Sequence, residues 1–248
     1  MKKESIALQL YSVRDALQQD YEGTIRKIAG YGYTAFETAG AFGESVTSAR
    51  ALYDSLGITV AAAHSPLPVG DKQHEVLETI EVLGCRYLVC PWLNPAEYYQ
   101  DMDGIKRACD LLNEANSVVQ AAGLNLVYHN HDFEMTPIEG KPVYEWMLDL
   151  LDESIQFELD TYWVQVGGLD PLQVMAKMKG RLPLLHIKDG PANSKAAAMV
   201  AVGAGNMDIE ALLQASSAEW HIVELDRCDT DMLTAVAESY SYLMEKSS

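Results

Sequence analysis

Short runs of β-branched and aliphatic residues alternate with longer amphipathic stretches along the whole chain. The short runs predict strands over 5–11, 33–37, 58–63, 86–90, 124–129, 155–160, 182–187 and 220–225. The stretches between them predict helices over 13–30, 44–56, 71–83, 100–121, 142–151, 169–177, 208–217 and 229–245. In 100–121, for example, Ile105, Ala108, Leu111, Leu112 and Ala115 recur at the spacing of one helical face. Gly32, Gly57, Gly84, Gly123 and Gly180 follow predicted helices, where a left-handed cap turns the chain into the next strand.

Repeated strand–helix units predict an α/β protein with a parallel sheet. Eight of them in 248 residues predict a single (β/α)8 TIM barrel, with 1–248 as one domain. No Pro, Gly or Ser-rich linker divides the chain. A doubly wound open sheet is the alternative, but the segment after its first strand, "YSVRDA", carries no glycine-rich phosphate loop.

A barrel concentrates its chemistry at the C-terminal ends of its strands. Those ends carry Gln9, Glu37, His64, His129 and His131, Asp160, His186 and Lys188, then Glu224 and Asp226. Residues two apart on a strand share a face. Gln156, Glu158 and Asp160 therefore oppose Phe157 and Leu159, while Leu184, His186 and Lys188 oppose Leu185 and Ile187. On the last strand, Ile222, Glu224 and Asp226 oppose Val223 and Leu225.

With the apolar faces turned to the helices, Asp160, His186 and Glu224 converge on one mouth. Two carboxylates and an imidazole suit one divalent metal ion, Mn, Co, Mg or Zn, and a further carboxylate completes the shell. Glu134, at the end of "LVYHNHDFEM", is the expected fourth ligand. His129 or His131 could ligate in its place, and a solvated loop acid is the plain structural alternative for Glu134.

The net charge of −18 argues against nucleic acid as a partner, because such binding depends on a basic surface. No run reaches the roughly 18–20 apolar residues of a membrane span. The opening apolar run is broken by Gln9 and followed by Arg14 and Asp15, a poor secretory signal. Four cysteines form no CxxC pair, so free thiols and a cytoplasmic location are expected. Assembly into a homo-oligomer is compatible with the chain.

The ordered set "LQLYSVRDAL", "YHNHDFE", "ELDTYWV" with "GGLDP", "LLHIKDG", "VGAGNMDI" and "HIVELD" resembles the sugar phosphate isomerase/epimerase family of xylose isomerase-like barrels. The resemblance runs over essentially the whole chain. It implies a divalent metal held by Glu, Asp, His and Glu of strands 5 to 8, here Glu134, Asp160, His186 and Glu224. In related ketose epimerases the first glutamate lies inside strand 5, where this chain has "YHNH". That departure resembles the subgroup near inosose dehydratases and enzymes of 3-keto sugars, in which a strand 5 histidine is an acid/base.

The expected activity is therefore that of a metal-dependent isomerase or epimerase. It would remove the proton α to the carbonyl of a keto sugar or polyol through an enediolate. A dehydratase or lyase is the alternative. Glu134, Glu224, His129 and His131 are the candidate proton-transfer groups, with a pair of hydrogen-bonded core histidines as the plain reading of the last two. Gln9, Glu37, His64, Trp163 and Lys188 are candidate sugar contacts, although Lys188 could simply pair with Glu158 and Trp163 could cover the core. The "VGAGNMD" glycines could approach a ligand, but a helix start capped by Asp208 accounts for them. A metal-free sugar-binding barrel and a DNA repair endonuclease are the remaining readings. Against the latter stand the acidic balance and the lack of extra His and Glu ligands for a three-metal cluster.

Overall fold

The computed structural model describes residues 5–247, so residues 1–4 and 248 of the expected domain lie outside it. Eight parallel strands close a barrel: β1 (Ile6–Gln9), β2 (Ala35–Thr38), β3 (Thr59–His64), β4 (Tyr87–Cys90), β5 (Asn125–His129), β6 (Gln156–Asp160), β7 (Leu184–Ile187) and β8 (Trp220–Val223). Each strand pairs with its sequence neighbours, and β8 returns to β1. The fold is a single (β/α)8 TIM barrel, as the alternation predicts.

Between the strands run α1 (Arg14–Gln19), α2 (Tyr21–Tyr31), α3 (Val46–Leu56), α4 (Gln73–Leu83), α5 (Pro95–Tyr98), α6 (Met102–Ala121), α7 (Val143–Leu150), α8 (Thr161–Val166), α9 (Pro171–Lys177), α10 (Ile209–Ala215) and α11 (Met232–Lys246). The helix expected over 13–30 is two helices. Asp20 takes an extended conformation between them, and its carboxylate accepts from the Gly23 amide at 2.9 Å. Such a side-chain cap restarts a helix where the backbone ladder has broken. At the other end of α2, Gly32 adopts φ 112°, beyond the ordinary range of a side-chain-bearing residue. α8 and a small hairpin, Pro137–Ile138 with Lys141–Pro142, are not legible in the sequence as separate elements.

Two apolar layers follow from the period-two alternation. Leu8, Phe36, Leu88, Tyr128, Phe157, Leu159, Leu185, Ile187 and Val223 pack outward against the helices. Ala7, Ala35, Val89, Val127, Leu184 and Ile222 point inward and fill the barrel floor. On α6, Ile105, Ala108, Leu112, Ala115 and Val119 form the buried stripe, with Leu111 only packed at its edge.

Sheet register then lays polar residues side by side above that floor. Gln9 pairs with Glu37, His129 with Glu158, and Asp160 with His186. The four cysteines form no disulfide, and no described helix is long and apolar enough to cross a membrane.

Candidate active site

One histidine joins two polar networks at the barrel mouth. His186 Nδ1 lies 2.8 Å from Glu224 Oε2, and its Nε2 lies 2.7 Å from Glu37 Oε2 and 3.1 Å from Glu158 Oε2. Burial disfavours its charge, but Glu158, Glu224 and Glu37 outweigh that and hold it well above the ordinary imidazole range. An imidazolium donates from both nitrogens, matching the carboxylates on either side.

The inner network lies just above the barrel floor. Glu158 Oε2 receives His64 Nε2 at 2.8 Å and has His129 Nδ1 at 3.0 Å, the latter off the line of a hydrogen bond. Gln9 Nε2 donates to Glu37 Oε2 at 2.7 Å. Burial works to raise Glu158, but His186, His129 and His64 together keep it well below the usual carboxylate range. Glu37 is pushed up to about 7, first by burial and then by the charge of Glu158. His64 is raised, because Glu37 and Glu158 outweigh its burial.

The outer network is organised by Lys188, which is fully buried. Its ammonium lies 2.6 Å from Asp226 Oδ2, 2.7 Å from Glu224 Oε2 and 2.8 Å from Asp160 Oδ2. It does not pair with Glu158. Burial pushes Asp160 up to about 6, although Lys188 and His186 oppose the shift. Glu224 is held well below the usual range because Lys188 and His186 outweigh its burial.

His129, Asp160, His186 and Glu224 each offer a ligand atom, and these four atoms lie within 4.8 Å of one another. Two imidazoles and two carboxylates form a donor set for a borderline divalent cation. One of their buried atoms, His129 Nδ1, has no aligned hydrogen-bond partner, while Asp160 Oδ2 is met by the Lys188 ammonium. Donor chemistry and the unpartnered His129 nitrogen together fit a divalent metal.

Glu134 is not part of this group, which corrects the expectation that it is the fourth ligand. His129 and Val127 point into the barrel, whereas Tyr128 points out toward the helices, and Glu134 joins Tyr128. The Tyr128 hydroxyl donates to Glu134 Oε1 at 2.6 Å and the His131 amide to Oε2 at 2.8 Å. Burial pushes Glu134 up to about 8. The strand 5 member of that four-atom group is His129.

The "HNH" run has a local logic. Asn130 Oδ1 accepts from the Asp160 amide at 2.9 Å and its Nδ2 donates to the Asp160 carbonyl at 3.3 Å, tying β6 to the end of β5. His129 and His131 flank that clamp, with rings 5.0 Å apart. Burial keeps His129 at about 4, and burial with His129 beside it keeps His131 well below the ordinary range. His131 stacks on Phe133 and faces the cavity, its Nδ1 unpartnered.

A cavity of about 870 Å³ opens over the cluster, with His64, His129, His131, Glu224 and Asp226 on its polar side. Of the five expected sugar contacts only His64 lines it. Gln9, Glu37 and Lys188 are wholly buried beneath, and Trp163 is nearly so. The Trp163 amide donates to Asp160 Oδ1 at 3.0 Å, and its ring covers the Lys188 ammonium at 5.3 Å. These four hold the ionised groups rather than meeting the cavity.

One further reading changes and another holds. Glu158 is legible in the sequence as an inward residue, yet its role as the acceptor for several imidazoles is not. It also makes His64, His129, Glu158 and His186 a second clustered group, so extra His and Glu donors are present where the sequence indicates none. Asp208 does cap α10, accepting from the Ala211 amide at 3.1 Å. The glycine segment before it folds onto buried Asp189, which accepts from the amides of Gly190, Gly203, Gly205 and Met207.

A closed parallel barrel with a His, Asp and Glu cluster at the strand C-termini defines a class of barrel proteins built around an ionic mouth. Within that class, the chain belongs to the xylose isomerase-like TIM barrel family, whose profile matches residues 25–219. Inosose dehydratase of Geobacillus kaustophilus is 26% identical over 195 residues, covering 66% of this chain and 60% of that protein. The chain thus spans about three fifths of the length of this curated relative. A sugar phosphate isomerase/epimerase of Parabacteroides distasonis superposes with TM-score 0.80 at 24% identity, over 96% of this chain and 92% of that one. The probable 3-DHS dehydratase of Bacillus anthracis superposes with TM-score 0.75 at 11% identity, over 98% and 99%. At these identities the two structural likenesses speak for the fold.

Proposed function

We propose that this chain is a divalent-metal-dependent enzyme that removes the proton α to the carbonyl of a small keto sugar or cyclitol. Elimination of water is the favoured outcome. The observation that carries the reading is the convergence of His129, Asp160, His186 and Glu224 beneath the cavity. A divalent cation, Mn, Co, Mg or Zn, held by these four supplies Lewis-acid stabilisation of the charge that develops on a substrate carbonyl oxygen.

The chain's own residues do the rest. His131, neutral and unpartnered at Nδ1, is the base within the cavity. His64, held against Glu158, faces the same space and returns a proton to the departing hydroxyl. Asn130 fixes the spacing of β5 and β6 on which both the base and Asp160 depend. Elimination needs one base and one acid, and the two histidines supply that pair. An epimerase of the two-glutamate type would need Glu134 in the mouth, where it is not. Inosose dehydratase among the relatives supports the same choice.

Epimerisation or isomerisation is the second reading, favoured by Glu224. Its carboxylate lines the cavity with His131 and could return a proton to the carbon. An unphosphorylated substrate suits the site, since His, Glu and Asp dominate its polar wall. A small molecule as partner, and not nucleic acid, fits the net charge of −18.

The test is elemental analysis of protein dialysed against Mn, beside Asp160→Ala, followed by NMR of inosose and other keto polyols in heavy water. About one metal per chain in the wild type, none in the variant, and deuterium exchange with loss of water support the proposal. Exchange with an epimer and no water loss supports the second reading. No metal in either protein rejects both.

A further inference from the structure

Lys188 and Asp189 stand side by side just past the end of β7, and both are fully buried. Lys188 turns into the mouth, where it holds Asp160, Glu224 and Asp226. Asp189 turns into the loop that follows. Its Oδ1 accepts from the amides of Gly190 at 2.8 Å and Met207 at 3.1 Å, and its Oδ2 from those of Gly203 at 2.9 Å and Gly205 at 3.0 Å. Four amides converging on one carboxylate form a nest of the kind that binds anions, and here the anion is the chain's own side chain. The fit is close, since a Cβ on Gly205 would strike Asp189 Oδ1 and the Gly190 nitrogen.

The folded loop reaches back to the mouth. β8 ends at Val223, so the barrel ladder does not set the position of Asp226. The Val200 amide donates to the Asp189 carbonyl and the Met199 amide to the Arg227 carbonyl, both at 3.0 Å, which wedges this pair between the end of β7 and the segment after β8. The Asp226 amide donates to Met199 Sδ at 3.3 Å, and Arg14 Nη2 donates to the Asp226 carbonyl at 2.9 Å. Held on both sides, Asp226 presents its carboxylate to Lys188.

We infer that Asp189 is a positioning residue for the mouth, acting as an internal anion. It folds the 199–207 loop, the loop seats Met199 against Asp226, and Asp226 holds Lys188 beside Asp160 and Glu224. Without an anion the four amides turn their positive ends on an empty centre, and the wedge loses what keeps it at that depth. An asparagine of the same size would set a donor against donors, so charge and not volume is what the nest requires. The consequence for metal binding rests on the function proposed above, whereas the placement of Lys188 does not.

The test is titration of Mn into the wild type, Asp189→Gly and Asp189→Asn, each labelled with fluorotryptophan. Fluorine NMR then reads Trp163, whose ring covers the Lys188 ammonium, with Trp163→Phe to assign the signal. Both Asp189 variants should bind Mn about 10–100-fold more weakly, the usual loss when a group that orients metal ligands from outside is removed. In both, the Trp163 signal should move even in metal-free protein. Formate fits the space that glycine leaves and should restore both readings in Asp189→Gly, but not in Asp189→Asn, whose side chain still fills the nest. Gly205→Ala, which crowds the same carboxylate, should repeat the Asp189→Asn result and serves if Asp189→Gly fails to fold. Unchanged Mn affinity in the variants, or a loss in Asp189→Gly that formate does not recover, would overturn the inference. A wild type that takes up no Mn would reject the function proposed above, and the fluorine signal alone then decides: movement with recovery in formate upholds the placement of Lys188 by Asp189, and no movement overturns it.

Discussion

Two glutamates of this chain are buried within one barrel and behave oppositely. Glu134 sits outside β5, where its partners are a tyrosine hydroxyl and a backbone amide. Glu224 sits in the mouth, where its partners are an imidazole and an ammonium. Burial pushes Glu134 up to about 8, yet Glu224 is held well below the usual range. Both make short hydrogen bonds, so bond count does not decide the difference. Opposite charge does, because in a poorly solvated place a neutral donor offsets far less of a carboxylate's lost hydration than a cation. At the mouth Glu224 stays ionised because cations surround it, whereas Glu134 has only neutral donors.

The largest effect that could break this contrast is in the mouth itself. Asp160→Ala should remove bound metal and all measurable proton exchange, read by elemental analysis and NMR. Turnover retained in that variant would end the metal reading. His131→Ala should keep the metal while lowering turnover by about 10²–10⁴-fold, the usual loss of a general base. If metal content falls with it, His131 is a ligand and the division between holding and proton transfer fails.

The contrast also explains what is readable in the sequence. Alternation along a strand sorts side chains to two faces, so the residue pattern alone assigns Asp160, His186 and Glu224 inward, together with the barrel itself. Glu134 lies past the end of β5, where strict alternation no longer applies. Its direction depends on Tyr128, its outward-facing partner, and on the chain turning back through the His131 amide. Lys188 shows its inward face but not its partner, because Asp226 and Glu158 are both in reach of a long side chain on paper. Register decides between them.

Glu134→Gln sharpens the comparison through pH. The folded carboxyl is raised from 4.5 to about 8, so the folded state holds a proton that the unfolded state has released. Stability from this group is full below about 4.5 and is lost as pH rises through 8, by at most about 5 kcal/mol. The glutamine variant lacks that slope, and its urea midpoint should gain on the wild type between about pH 5 and about pH 9. Its metal content should stay unchanged. A wild type and variant that run parallel would mean Glu134 is not forced up by burial.

Lys188→Met asks the reverse question in the mouth. Asp160, Glu224 and Asp226 would lose their shared ammonium, and metal-free protein should be destabilised by about 3–5 kcal/mol, as when one partner of a buried pair is removed. Saturating Mn should restore part of that loss, because a cation then neutralises two of the same carboxylates. No difference between the metal-free and Mn-saturated variants would mean that Lys188 and the metal act on separate groups.

Tyr128→Phe carries the smallest expected effect and isolates the neutral donor. The change removes the hydroxyl that donates to Glu134 and lies 2.6 Å from the Tyr99 hydroxyl, while the ring still fills its place in the outer core. One lost hydrogen bond to a buried acceptor predicts about 1–3 kcal/mol of destabilisation. Because that acceptor is protonated through much of the neutral range, the loss should grow as pH rises past about 8, where the carboxylate needs the donor most. Metal content and proton exchange should not change, since the Tyr128 hydroxyl meets Glu134 and Tyr99 and none of the four clustered groups. A loss of metal here would join the two regions that the geometry keeps apart, and the distinction between neutral and ionic support would have to be abandoned.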